Sequence, residues 1–320
     1  MTYSASARRV IRLLSLAFAS VLLVSCSQPR DEQSQPTPAL SPDPNAGSAT
    51  GGVAKWTVTE GIETPESVYV DPASASIFVS QVTGAPDARD GTGRIVKLSS
   101  DGNVESTSWV TGLNAPKGLR GCNGMLWVAD LDEVVAVEIS SGKIASHVKL
   151  EGAKFPNDVA CGSDGTVYVS DMMGSRIYMV KDGKASVFAE GEDLEYPNGL
   201  LAENDRLVVG AWGKPEADFS TKVPGRLFAL DLKTKSKTLI TPDPFANIDG
   251  VESDGAGGYI LTDWIAGKVY HVTSSGEIRL IRQFAQGTAD HAFVASEKLL
   301  IIPHMNENKV AAYDISDALR

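Results

Sequence analysis

The chain has 320 residues, 29 basic against 40 acidic, for a net charge of −11, and 42% of its residues are hydrophobic. The acidic balance argues against a nucleic-acid partner. No P-loop, dinucleotide-binding glycine pattern on a strand–helix unit, zinc-type Cys/His cluster or GxSxG elbow is present, which sets aside the enzyme classes built on them.

In chain order the first feature is an apolar run from Leu13 to Val24 behind Arg8, Arg9 and Arg12, shorter than a convincing spanning helix. It ends in Leu-Val-Ser-Cys, which resembles a bacterial lipobox. That resemblance implies a signal peptide over residues 1–25, lipidation of Cys26, and a lipid-anchored place in the cell envelope. Ser27 points to the periplasmic side of the outer membrane in a diderm cell. An uncleaved transmembrane anchor is the other reading. Loss of the three arginines leaves 26 basic against 40 acidic residues, or −14. Residues 26–52 are rich in Pro, Ser, Gln and Ala and read as a flexible tether. The membrane is then met through the lipid alone, and the folded part is expected to be a monomer.

Residues 53–320 read as strands and turns. "KWTVTEG" from Lys55 is a strand without a partner of its own. Six related segments follow: "ETPESVYVDPASASIFVSQ" from Glu63, "NAPKGLRGCNGMLWVAD" from Asn114, "KFPNDVACGSDGTVYVSD" from Lys154, "EYPNGLLAENDRLVVGAW" from Glu195, "NIDGVESDGAGGYILTDW" from Asn247 and "TADHAFVASEKLLIIPH" from Thr288. Each has a turn-prone entry, one variable residue, then Gly, Asp, Ser or His, then an apolar strand. The variable residues are Glu66, Lys117, Asn157, Asn198, Asp249 and Asp290, spaced 51, 40, 41, 51 and 41 apart. A repeat near 40 residues with no helical periodicity predicts an all-β, six-bladed β-propeller with four-stranded blades. The last blade has no fourth strand before Arg320, so the strand at Lys55 is expected to complete it and close the ring.

In a propeller the innermost strand of each blade lines the central channel. The variable residues then form a ring of Glu, Lys, Asn, Asn, Asp and Asp at one mouth. Carboxylates and amide oxygens converging on one axis repel unless a cation lies between them, and oxygen-only donors suit a hard ion. Strand entries capped by Asn and Asp and bound to water are the alternative. The two 51-residue repeats owe their length to "TGAPDARDGTG" and "GKPEADFSTKVPG", which fall on opposite blades and face each other across the mouth. Trp212 and Trp264, at strand ends near this rim, are candidate pocket walls. Asp130, Asp171 and Asp263 end strands in a pattern that holds blade turns. Cys122 and Cys161 lie at turns of neighbouring blades on the opposite face, either disulfide-bonded or as two separate thiols.

These residues resemble the regucalcin/gluconolactonase family of six-bladed propellers. The resemblance implies a divalent metal, Ca²⁺ first and Zn²⁺, Mn²⁺ or Mg²⁺ as other candidates, held by Glu66 in "PES", Asn157 in "PND", Asn198 in "PNG" and Asp249 in "IDG". It also implies that Asp249 serves as proton acceptor or nucleophile. Phe155 stands where sugar lactonases of the family tend to carry a substrate-binding Arg. His291 and His304 are further candidate catalytic groups, and Lys117, Asp290, Trp212 and Trp264 candidate substrate contacts. The expected function is metal-dependent hydrolysis of small lactones or related esters. The alternative is a non-catalytic propeller that binds a ligand or protein around a structural Ca²⁺.

Overall fold

The computed structural model describes residues 51–319, so the expected signal peptide, Cys26 and nearly all of the expected tether lie outside the described residues. Six four-stranded antiparallel sheets form a six-bladed propeller. Named from the channel outward, strands A to D of blade 1 are Pro65–Val70, Ile77–Gln81, Gly93–Leu98 and Val104–Leu113. Blade 2 is Pro116–Cys122, Met125–Asp130, Glu133–Glu138 and Ile144–Lys149, and blade 3 is Pro156–Cys161, Val167–Asp171, Arg176–Lys181 and Lys184–Glu190. Blade 4 is Pro197–Glu203, Arg206–Ala211, Leu227–Asp231 and Lys237–Leu239, and blade 5 is Ile248–Ser253, Tyr259–Asp263, Lys268–Val272 and Ile278–Gln283. Blade 6 holds Ala292–Val294, Leu299–His304 and Lys309–Asp314, and Trp56–Val58 is its outermost strand, with Val58 opposite Val310. No helix among the described residues is long and apolar enough to cross a membrane.

The B strands explain how the ring packs. They carry apolar residues on both faces, and successive side chains point to opposite neighbours. Phe78 packs with Val128 of blade 2, whereas Val79 packs with Ile301 of blade 6. Val209 and Val208 divide in the same way between Ile177 of blade 3 and Leu261 of blade 5. Every interface between neighbouring blades therefore has its own apolar cluster.

Each A strand from blade 1 to blade 5 has a register shift at its start, between Pro65 and Val68, Pro116 and Leu119, Pro156 and Val159, Pro197 and Leu200, and Ile248 and Val251. The variable ring residue lies inside every one of these bulges. A bulge leaves the residue unpaired in the ladder and re-aims its side chain. This places strand A of blade 3 from Pro156 rather than Asp158. Asp and Asn are poor strand formers, and a sequence pattern that ends the strand at them misses a bulge that accommodates them.

The position after the ring residue is small where the neighbouring strand comes closest. A Cβ on Gly118 would lie 2.5 Å from the Asp158 Cα, and one on Gly250 would lie 2.5 Å from Asp290 Oδ1. Strand-end carboxylates fasten the blade entries. Asp130 accepts from the Asn114 and Ala115 amides at 2.9 and 2.7 Å, Asp171 from Lys154 and Phe155 at 3.0 and 2.7 Å, and Asp263 from Ala266 at 2.9 Å.

His304 stands at the corresponding strand end of blade 6, bridged to Thr288. Its Nε2 lies 3.0 Å from the Tyr313 hydroxyl and its ring packs edge-on to Phe284 at 4.9 Å. His304, a candidate catalytic group, is thus held through Nε2 by its own blade and through its ring by the end of blade 5, with Nδ1 left without a hydrogen-bond partner. Cys122 and Cys161 are joined by a disulfide, with Cα atoms 5.7 Å apart, which ties blade 2 to blade 3 at the end of the A strands away from the ring.

The crosslink spans 39 residues of sequence. Loop-closure entropy gives it a nominal worth of about 4 kcal/mol in the chain-entropy picture. A Cys122→Ser, Cys161→Ser variant should lose about 2–4 kcal/mol in denaturant unfolding, and the unreduced, unfolded wild type should show neither thiol to a titrant. His304 gives a second test. Burial, and then Lys309, push its pKa from 6.5 down to about 4, against Glu307. Between those values the unfolded chain binds a proton that the fold refuses, so stability falls as pH falls through that window. His304→Gln should remove that slope, worth up to roughly 3 kcal/mol at about 1.4 kcal/mol per unit, when melting of variant and wild type is compared from pH 7 to 4.

Candidate metal centre at the channel mouth

The five bulges, and the entry to blade 6 at Asp290, bring the six ring residues to one mouth and bury them, with Asn157 the most exposed at 6%. Asn198 Nδ2 donates to Asp249 Oδ1 at 2.7 Å. Ser67 Oγ donates to Asp290 Oδ2 at 2.5 Å, and the Asp290 amide donates to Glu66 O at 3.1 Å, which joins blades 6 and 1 at the mouth. Several acceptors remain without a partner: Glu66 Oε2, Asn198 Oδ1, Asp249 Oδ2, Asp290 Oδ1 and His291 Nε2. Buried acceptors are normally satisfied, so such a concentration on one channel mouth points to a bound species.

Crowding shows in the electrostatics. Burial raises the Glu66 carboxyl well above the usual range, and the Asp249 and Asp290 charges raise it further, against Lys117. Asp249 is raised by burial and then Asp290, against the Asn198 hydrogen bond. Asp290 is raised by burial and Asp158, with Arg120 and Ser67 opposing. A divalent cation would relieve all three, and carboxylate and amide oxygens are the donors it takes. Among the described residues, no three or more His, Cys, Asp and Glu side chains are gathered into a metal-binding group. A site here therefore draws on the Asn amides as well as the carboxylates.

Lys117, a candidate substrate contact, is engaged by the protein itself. Its Nζ donates to Pro86 O and Ala115 O, both at 3.1 Å, and lies 4.6 Å from the centre of the Phe155 ring. The ammonium holds the first long loop to the rim. Trp212 is 5% exposed and its indole donates to Phe219 O at 3.0 Å, so it supports the second loop rather than walling an open pocket. Trp264 is half-buried beside it, ring centres 6.2 Å apart. His291 stays near the mouth, its Nδ1 3.4 Å from Thr262 Oγ1, and burial, then Arg120, push its pKa down to about 3.

Below the ring lies a group the sequence reading passed over. Arg120 Nη1 meets Glu252 Oε1 at 2.7 Å, from blade 2 to the opposite blade 5. Both stand three residues after their ring members, so opposite charges at matched positions of facing repeats were the available signal. Burial disfavours the Arg120 charge, but Glu252, Asp158 and Asp290 outweigh it and hold the guanidinium more firmly protonated than usual. Asp158 accepts from the Leu200 and Val159 amides at 2.7 and 2.6 Å, and burial lifts its pKa to about 7 despite Arg120.

Comparison with solved structures finds propellers at low identity. A gluconolactonase from Xanthomonas campestris aligns at TM-score 0.60 and 15% identity, over 82% of this chain and 90% of its own. The calcium-binding protein regucalcin from Agrobacterium tumefaciens aligns at 0.59 and 16%, over 81% and 93%. Virginiamycin B lyase from Staphylococcus aureus, in a catalytically inactive form with quinupristin, aligns at 0.55 and 15%, over 80% and 97%. No protein-family model and no curated protein sequence matches the chain. At these identities the likeness establishes architecture: the chain is a six-bladed β-propeller whose structural neighbours include gluconolactonase and regucalcin.

Proposed function

We propose that the protein is a divalent-metal-dependent hydrolase of lactones or related esters, a propeller of the regucalcin/gluconolactonase type held at the cell envelope by a lipid on Cys26. The observation that supports this reading is the set of buried, unpartnered oxygens on Glu66, Asn198 and Asp249 at one channel mouth. Glu66, Asn157, Asn198 and Asp249 would hold the cation, Ca²⁺ before Zn²⁺, Mn²⁺ or Mg²⁺ because every donor is a hard oxygen. When bound, the cation supplies Lewis acidity toward an ester carbonyl.

The chain's own residues handle the proton. Asn198 fixes Asp249 through Oδ1, Oδ2 would meet the cation, and the carboxylate keeps a lone pair for a proton. As the oxygen of the attacking water bonds to the carbonyl carbon, Asp249 takes the proton. It returns that proton to the alkoxide oxygen when the C–O bond breaks. His291, held neutral by burial and then by Arg120, is the second titratable side chain at the mouth in blade 6. Asp290, steadied by Ser67, is a candidate substrate contact. A monomer that meets the membrane through its lipid alone, with no nucleic-acid partner, belongs to the same proposal.

Two conservative substitutions separate ligation from proton transfer. Glu66→Gln should weaken Ca²⁺ binding and lose activity only in proportion to metal occupancy. Asp249→Asn keeps a ligand oxygen but loses basicity, so turnover at saturating Ca²⁺ should fall about 10²–10⁴-fold. Calorimetric Ca²⁺ affinity, melting temperature with and without chelator, and hydrolysis of lactones, aryl esters and phosphotriesters are the readouts. Equal losses in both variants, accounted for by occupancy, would remove the base role from Asp249. A wild type that binds Ca²⁺ and melts higher with it, yet hydrolyses nothing in the panel, would be a binding propeller with a structural cation.

A further inference from the structure

Phe155 lies two residues before Asn157 of the ring and is half-buried. One side of its ring faces the Lys117 ammonium, and the Phe219 ring lies 5.4 Å away at 52°. Phe219 belongs to the second long loop, between strands B and C of blade 4. Its φ of 64° is in the left-handed region, where a bulky aromatic residue is seldom found. The strain is held in place from several sides. Trp212 donates its indole N–H to the Phe219 carbonyl, and Asn247 Nδ2 donates to Trp212 O at 2.7 Å and Thr221 Oγ1 at 2.8 Å. Trp264 continues the row beside Trp212. The loop is thus fastened so as to lay a phenyl ring against Phe155 at the rim. Phe155, Phe219 and Trp264 all remain half-buried, unlike the fully buried Phe78 and Phe228 that pack between blades.

We propose that Phe155, Phe219 and Trp264 form an aromatic subsite beside the carboxylate ring, which takes the apolar part of a neutral aryl or alkyl lactone or ester. This inference rests on the hydrolase reading and names its substrate class. Lys117, the ring's own cation, is engaged by Pro86 O, Ala115 O and the face of Phe155. A sugar lactone would set its hydroxyls against the phenyl rings without hydrogen-bond partners. An apolar group loses nothing there and gains contact area and ring–ring interaction from the belt.

The test uses two lactams, which place a cyclic amide where a lactone would lie and resist hydrolysis. The Ca²⁺-loaded protein is titrated calorimetrically with 3,4-dihydroquinolin-2-one and with gluconolactam. The aryl lactam should bind at least about 10-fold more tightly. Phe155→Ala and Phe219→Leu should each weaken it by about 5–10-fold, the scale of one aromatic contact, with Ca²⁺ affinity unchanged. Melting temperatures verify that both variants fold, and Phe219→Leu alters only a surface loop. Equal or tighter binding of gluconolactam, binding of neither lactam, or unchanged aryl affinity in both variants would overturn the subsite. Belt-dependent aryl binding without turnover of dihydrocoumarin would keep the subsite and remove the hydrolase. Sugar-lactone turnover indifferent to Phe155 and Phe219 would do the reverse.

Discussion

Glu66, Asp249 and Asp290 are buried together at one end of a narrow channel, and their mutual repulsion is the constraint the surrounding structure answers. Charges out of water are tolerated only when paired or hydrogen-bonded. Some of the compensation is built in: the Asn198 amide on Asp249, the Ser67 hydroxyl on Asp290, and Arg120 acting on Asp290 and Asp158. What these leave over is an excess of buried acceptor oxygens without partners. A small cation shared among these oxygens, as proposed above, would complete the compensation.

The backbone meets that constraint through one repeated device. A regular strand would alternate its side chains between the two flanking blades and send none squarely to the axis. The bulge at the start of five A strands breaks the alternation once, at the ring residue. Glycine at positions 118, 199 and 250 then lets adjacent A strands approach closely enough to bring their ring residues together. Packing between blades remains regular because the B strands, which carry most of the apolar contacts, are untouched.

The repeat made the fold legible, because one odd polar residue recurred at the same place in each copy. The ring membership of Glu66, Asn157, Asn198 and Asp249 was legible for the same reason. What the sequence obscured depends on side-chain reach. Lys117 looks like a free cation when its position is counted, yet its length lets the ammonium reach Pro86 O in a loop of the neighbouring blade. His304 shares its strand-end place with Asp130, Asp171 and Asp263, but the Tyr313 hydroxyl that engages it is close only through strand pairing. The Phe155–Phe219 contact joins a blade entry to the middle of a long loop, and no periodicity encodes it.

The pair between Arg120 and Glu252 has a consequence for traffic. It spans the channel between opposite blades a short way below the ring. Arg120 also lies 5.9 Å from the ring of Tyr69. A molecule that reaches the carboxylates from the mouth meets this ion pair next. Under the proposed hydrolase reading, substrate and product would share that mouth, and accumulated product would slow the next arrival by occupancy alone. The disulfide, at the far end of the A strands, stands on the other side of this pair.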